Sequence, residues 1–293
     1  IRKSQVYLDS IDGKRNKFGF SDILMGYSYR NSFKKWSINY DGQLLSTSFN
    51  TVQGWKTQVG LSFVKRDEDK RTFTRIGSRF DYGFAEEKLR VTGDFYRKFN
   101  NTNNSQLYVN GGSSVSQFNG SNPITNLGNT ISTLFFKNNF MKVYEKNFIS
   151  ANFGREIING LNLNFNLEYS ERKPLENTTD YVLIKNDKSY TSNNPLLPND
   201  NVPPAIVKHN LVKANVNARI KFGKQYWTRP DGKYNIGNEK YPTLNIGYEK
   251  GLAATDKKYE YDLISARATY GLSIGNKGYL DMNLKAGKFF NAE

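Results

Sequence analysis

Asn159-Gly160-Leu161-Asn162-Leu163-Asn164-Phe165-Asn166-Leu167-Glu168-Tyr169-Ser170 decides the fold. Successive side chains of a strand point to opposite faces, so Leu161, Leu163, Phe165, Leu167 and Tyr169 share one side and Asn162, Asn164, Asn166, Glu168 and Ser170 the other. Asn-Gly is the preferred two-residue hairpin turn, so the segment opens as the second arm of a hairpin. Such a strand lies between an apolar medium and a wet one.

Working outward, the same alternation recurs in candidate strands at 22–30, 35–44, 55–65, 72–84, 88–98, 105–117, 147–158, 161–171, 209–228, 233–250, 259–274 and 279–290. Many of these spans are 10 to 16 residues long. Strands of globular sheets average about 5 to 6, whereas roughly 9 to 11 tilted residues cross a bilayer core. In 209–222, Val212, Ala214, Val216, Ala218 and Ile220 oppose Lys213, Asn215, Asn217, Arg219 and Lys221. An Arg or Lys facing lipid at mid-membrane costs roughly 2 to 4 kcal/mol, which fixes the register with the charges toward a lumen.

Connection lengths are a second test. The odd-numbered connections, 31–34, 66–71, 100–104, Asn159-Gly160, Arg229-Pro230-Asp231-Gly232 and Gly275-Asn276-Lys277-Gly278, are all tight. The even-numbered ones include 118–146 and 172–208, the longest irregular stretches, with Ala85-Glu86-Glu87 the short exception. Short turns on one side and long loops on the other are the habit of a membrane barrel. The expected fold is therefore all-β, an antiparallel transmembrane β-barrel of about twelve strands in this segment, part of a larger barrel, with two long loops. A short helix is expected around Ile131 to Val143, with Leu134, Phe135 and Met141 toward the barrel. Five of the eight prolines, at 174, 195, 198, 203 and 204, make 172–208 irregular. Tyr27, Tyr29, Trp36, Tyr40, Phe289 and Phe290, near strand ends, suit interfacial girdles. A β-sandwich also offers one wet face per sheet, so alternation alone leaves a soluble all-β domain as the other reading.

Composition agrees. With 19 Tyr, 20 Phe and 24 Gly among 293 residues, the chain is strand and turn material. No compositional break divides it, so 1–293 reads as one barrel segment with no separate second domain. The absence of Cys excludes disulfides and thiolate metal sites. No run of 18 apolar residues exists to form a transmembrane helix, and the mean hydropathy of -0.68 suits a barrel as well as a soluble domain. The chain opens on Ile1-Arg2-Lys3-Ser4, without initiator Met or signal peptide, and stops at Phe289-Phe290-Asn291 in mid-strand. It is expected to be a piece of a longer protein.

Little in the sequence reads as chemistry. His209, the one histidine, is expected at a surface or rim. Asp67, Glu68 and Asp69 lack the ordered spacing of a calcium loop and read as a solvated turn. Arg75, Arg79, Asp81, Arg90, Asp94 and Lys98, inward on two successive strands, read as a charge network that fills and stiffens a lumen rather than a selective ion path. Asp81 and Asp94 can be drawn as a carboxylate pair, yet nothing in the sequence sets their spacing. Asn103-Asn104-Ser105 and Asn177-Thr178-Thr179 match the glycosylation sequon by chance. The expectation is no catalytic, cofactor-binding or metal residue, no cofactor and no enzyme. The net charge of +15 is spread along the chain rather than gathered with stacking aromatics, which argues against nucleic acid.

Several segments carry a resemblance. Tyr27-Ser28-Tyr29-Arg30-Asn31-Ser32, Phe49-Asn50-Thr51-Val52-Gln53-Gly54, Phe118-Asn119 with Asn122-Pro123-Ile124, Arg172-Lys173-Pro174-Leu175 with Asn177-Thr178-Thr179-Asp180-Tyr181, Tyr190-Thr191-Ser192-Asn193-Asn194-Pro195 and Lys240-Tyr241-Pro242-Thr243-Leu244-Asn245 resemble, in this order, a family of Gram-negative outer-membrane proteins. Its members carry an N-terminal carboxypeptidase-regulatory-like (peptidase-associated) β-sandwich domain, followed by a large β-barrel of unknown function. The resemblance implies location in the bacterial outer membrane, contact with its lipid and lipopolysaccharide, and no catalytic residues. The first expectation is thus a structural or accessory subunit of an envelope complex, beside another outer-membrane or periplasmic protein. The alternatives are a channel or transporter gated by the loops 118–146 and 172–208, and a soluble carbohydrate-binding sandwich.

Overall fold

The computed structural model describes residues 4–44, 46–185, 187–199, 204–230, 232–236 and 240–291. Ile1, Arg2, Lys3, Asp231, Pro203 and residues 237–239, all used in the sequence reading, lie outside the described residues.

Two helices come first, α1 (Gln5–Arg15) and α2 (Ser21–Met25). The strands β1 (Gly26–Asn31), β2 (Trp36–Asp41), β3 (Ser48–Asn50), β4 (Gly54–Asp67), β5 (Thr72–Gly83), β6 (Lys88–Lys98) and β7 (Gln106–Gln117) follow, then helix α3 (Asn126–Phe136). The second half holds β8 (Val143–Ile158), β9 (Leu161–Pro174), β10 (His209–Lys221), β11 (Gln225–Arg229), β12 (Gly232–Ile236), β13 (Thr243–Leu252), β14 (Tyr261–Ser273) and β15 (Tyr279–Phe290). Thirteen strands form one antiparallel sheet in the order β1-β2-β4-β5-β6-β7-β8-β9-β10-β13-β14-β15, with β3 beside β4, and β11 pairs β12 separately. The fold is all-β and antiparallel with few helices. The path is open, since among the described residues β1 and β15 do not pair with each other.

The decisive segment pairs on both sides: Phe165 lies opposite Phe153 and Val216, and Asn166 opposite Asn152 and Asn215. Phe165, Leu167 and Tyr169 are 46%, 56% and 47% exposed. Phe63, Ile76, Leu89, Ile149, Ile246, Ile264 and Leu284 on other strands are exposed too. The sheet's apolar face is thus bare from end to end. At the β1–β2 turn its aromatic members meet, Tyr29 stacking on Trp36 at 5.7 Å and Trp36 lying 6.1 Å from Phe63.

Several boundaries differ from expectation. The span 22–30 opens as helix, because α2 takes residues up to Met25 and Gly26, at φ +97°, turns the chain into β1. The spans 209–228 and 233–250 each divide in two. Gly223, at φ +60°, breaks the first after Lys221, so β10 pairs directly with β13 while β11 and β12 leave as a small hairpin. Arg229 and Gly232 therefore flank the tip of that hairpin rather than joining two long strands. The helix in the first long loop begins earlier than expected, because Thr125 caps it, its Oγ1 accepting from Gly128 N at 3.1 Å. Leu134 and Met141 are buried as expected, and Phe135 is exposed. β8 starts at Val143 and β9 runs to Pro174, which trims both long loops.

Helix α1 was not foreseen. It ties to β1, where the Asn16 side chain donates to Arg30 O at 2.7 Å and accepts from Arg30 N at 3.0 Å, as a neighbouring strand would. Asp12 accepts from Ser32 N at 2.6 Å and Ser32 Oγ at 2.7 Å.

Candidate functional site: a roofed polar cavity

Thr51, Val52, Gln53, Asn129, Thr133 and Leu134 are fully buried although they lie in the connections rather than the sheet. The connection between β2 and β4, the loop holding α3, and the loop between β9 and β10 interlock above the strand ends. Thr178 N donates to Thr51 O at 2.9 Å, Thr178 Oγ1 to Val52 O at 2.6 Å, and Thr51 Oγ1 to Asn177 Oδ1 at 2.6 Å. Asn129 Nδ2 donates to Phe49 O at 3.2 Å while its Oδ1 accepts from Met141 N at 3.1 Å. The Tyr190 hydroxyl lies 3.0 Å from Thr133 O and 2.9 Å from Tyr181 O. Lys142 Nζ donates to Thr191 Oγ1 and Ser192 O, each at 2.6 Å. Buried amides are costly unless paired, and here they hold irregular backbone that no strand can serve. Around Val52, Met141 and Val143 a small apolar core forms, with Val115, Ile124 and Leu175 packed against it.

This knot roofs a cavity of about 590 Å³. Asn50, Gln53, Asn126 and Met141 cover it, and Gln58, Arg79, Asp81, Asp94, Tyr108 and Asn110 form its strand wall. Four members of the expected charge network, Arg79, Asp81, Arg90 and Asp94, line it, while Arg75 and Lys98 lie nearer the tight turns. Asp81 accepts from Gln53 Nε2 at 2.8 Å and meets Lys56 at 3.5 Å, and Asp94 faces Arg75 at 3.7 Å. Lys98 donates to the Asn101 side chain at 2.5 Å, and Arg79 has no ion-pair partner among the described residues. Asp81 lies opposite Arg90 and Asp94 opposite Gly77, four residues apart along β5. At about 3.3 Å per residue that is roughly 13 Å, so the two carboxylates do not act as a pair.

Arg90, 1% exposed, lines the same cavity and joins it to a cluster at the rim. It binds Glu86 through both terminal nitrogens and Glu145 at 3.0 Å, and Lys88 meets Glu145 at 2.6 Å. The cluster exists because β6 and β7 part company: their pairing ends at Thr92 opposite Gly112, where Gly112 at φ +132° bends β7 away. Glu145 reaches into the opening, and two acids meet two bases.

His209 is not at a surface. It is 2% exposed, its ring stacks on Tyr259 at 3.7 Å, and Nδ1 donates to Val207 O at 2.8 Å. Its burial follows from the 3₁₀ turn Lys257–Tyr259, which lays Tyr259 over the start of β10. Asp67, Glu68 and Asp69 stand in a solvated turn, where Asp67 accepts from Lys70 N and Glu68 pairs with Lys35. Among the described residues no three His, Cys, Asp or Glu side chains gather as a metal ion would need.

At the opposite end, the β11–β12 hairpin crosses beneath the tight turns. Tyr234 receives Arg71 of the β4–β5 turn over its ring at 4.5 Å. Gly232 lies so close to Asn101, between β6 and β7, that a Cβ would collide with that side chain. Glu156, where β8 ends, takes Lys224 at 2.9 Å and Lys233 at 3.1 Å.

The model of the C-terminal domain of DUF5686, a family of unknown function, matches residues 21–293. The chain belongs to that family. The match begins at α2 and takes in every strand, so the DUF5686 domain includes the sheet, the roofing knot and the strapping hairpin but not α1. No curated protein and no solved structure matches the chain. Within the DUF5686 chain, the segments Phe49–Gly54, Asn122–Ile124, Asn177–Thr179 and Tyr190–Pro195 meet in the one knot. Sequence reading saw them as separate motifs; their common feature, asparagine in irregular sequence, was the available signal.

Proposed function

We propose that this chain is the membrane-embedded part of a non-enzymatic outer-membrane β-barrel that serves as a structural or accessory subunit of an envelope complex. The observation that carries the reading is the bare apolar face, continuous over the long strands and backed by a charged one. Soluble proteins rarely expose contiguous apolar patches beyond a few hundred Å². In a bilayer that face meets lipid, and the open path from β1 to β15 is completed so that no edge is left unpaired. Basic side chains at the rims suit lipid and lipopolysaccharide phosphates, and the family resemblance adds an N-terminal carboxypeptidase-regulatory-like domain in the longer protein.

The knot and the hairpin favour a stoppered lumen over a gated one. A gating loop must move at small cost, whereas the 172–208 loop is tied by buried amides to two other connections. The test is carbonate extraction of native membranes, then conductance of the reconstituted full-length protein. Retention until detergent is added, with no steady current, is expected. Release by carbonate alone overturns the membrane reading, and a large steady pore overturns the stoppered one.

A further inference from the structure

One rung of the polar face, read across neighbouring strands from β8 to β15, runs Glu156, Asn162, Arg219, Asn245, Arg267 and Lys285. Lys221 follows Arg219 on the same face, one rung nearer the turns. Strands lie about 4.8 Å apart, so Arg219, Arg267 and Lys285 span roughly 14 Å. Arg267 stands directly opposite Lys285, an arrangement of like charges that costs stability.

Among the described residues no carboxylate nearby relieves it. Glu156 is saturated, its Oε1 accepting from Lys224 Nζ and Gly160 N, both at 2.9 Å, and its Oε2 from Lys233 Nζ at 3.1 Å. Asp281, the inward acid of β15, lies opposite Gly271, four residues along the strand from Lys285. Among the described residues none of Arg219, Lys221, Arg267 and Lys285 has an ion-pair partner. Elsewhere on the same face Lys56, Arg75, Lys146 and Lys213 meet acids, and Arg79, which does not, lies opposite Gly60 and Thr92 rather than a second cation. Arg267 is also aimed, its Nε donating to Asn283 Oδ1 at 2.9 Å, which leaves the two terminal nitrogens free to fork onto an acceptor.

We propose that this rung binds a small polyanion, a molecule carrying two or more phosphate or carboxylate groups. Arg219 and the Arg267–Lys285 pair take groups about 10 Å apart, and Asn245 between them donates to the link. Local rule-breaking of this kind marks a function rather than a fold: Arg219 and Arg267 have a strand on each side and neither strand brings an acid to their rung, so an anion would supply the charge. The proposal goes beyond the envelope role and does not depend on it.

The test uses the full-length protein in neutral detergent at low salt, titrated calorimetrically with tripolyphosphate and, separately, with citrate. Saturable binding of at least one is expected, weakened tenfold or more by Arg267→Gln or Lys285→Gln, retained by Lys285→Arg and unaffected by Arg79→Gln. Preference between the probes assigns phosphate or carboxylate. Melting without anion is the second readout: Lys285→Gln relieves the opposed charges, so its melting temperature should equal or exceed the parent's. Absence of saturable binding by either probe, or equal binding by Lys285→Gln, overturns the proposal.

Discussion

The side-chain amide of Asn193 closes a ring with the backbone of Val143, donating from Nδ2 to Val143 O at 2.6 Å and accepting at Oδ1 from Val143 N at 3.0 Å. Its Nδ2 also reaches Leu175 O at 2.6 Å, so one buried amide joins the first residue of β8 to the chain just beyond β9. It does the work of a strand where no strand fits. Asn193→Ala leaves three buried backbone groups unpaired at about 1 to 3 kcal/mol each, a loss of at least roughly 3 kcal/mol in all. The check is melting together with limited proteolysis: cleavage between 175 and 208 should appear in the variant and be absent from the parent. Asn193→Asp should behave no better, because a carboxylate oxygen then faces the Val143 and Leu175 carbonyls.

Gly112 tests the parting of β6 from β7. Its φ of +132° is disfavoured for any side chain, and a Cβ there would collide with the Val91 carbonyl. Gly112→Val should cost at least about 2 to 3 kcal/mol in strain. Because the collision forces β7 off its path, the loss should also loosen the Arg90–Glu145 contact. Gly120→Val, in open space on the loop, should be near neutral by denaturant titration.

The sheet was legible because its signal is local. Alternation in 161–170 needs only the residues themselves, and each pairing then follows from the tight turns. The break at Gly223 was less visible, since 209–228 alternates on both sides of it. The knot was not visible at all: Thr51 and Asn177 bond across 126 residues, and nothing near either one announces the other. The burial of His209 depends likewise on Tyr259, which arrives from a different connection. The ladder of Arg75, Asp81 and Asp94 was legible as a face, but which charges pair was decided by Lys56 and Gln53 on the neighbouring strand and its entry.

Leu167 and Asn166 are adjacent, one on each face of β9, which makes them a controlled pair. In the membrane reading, Leu167→Arg places a charge in lipid at roughly 2 to 4 kcal/mol, whereas Asn166→Arg adds one more cation to a wet face. Assembly in membrane vesicles, scored by protease resistance, should fail or fall sharply for Leu167→Arg and persist for Asn166→Arg. Equal assembly of the two would sink the lipid-facing assignment of the apolar face.

Tyr190 links the knot to pH. Burial, with Asp180 adding to it, pushes its phenol up to about 12 from an ordinary value near 10. The folded state therefore keeps the proton that the loosened loop loses first. The contribution of Tyr190 is present below pH 10 and is lost as pH rises through 12. The neutral hydroxyl donates toward the Thr133 and Tyr181 carbonyls, and a phenolate would repel both. Tyr190→Phe should cost about 1 kcal/mol at neutral pH, the net worth of one hydrogen bond. It should also flatten the dependence of loop protection on alkaline pH, read by hydrogen exchange at residues 181–192 after brief exposure to pH 10 to 12. A variant that loosens with pH as steeply as the parent would assign the alkaline sensitivity to another group.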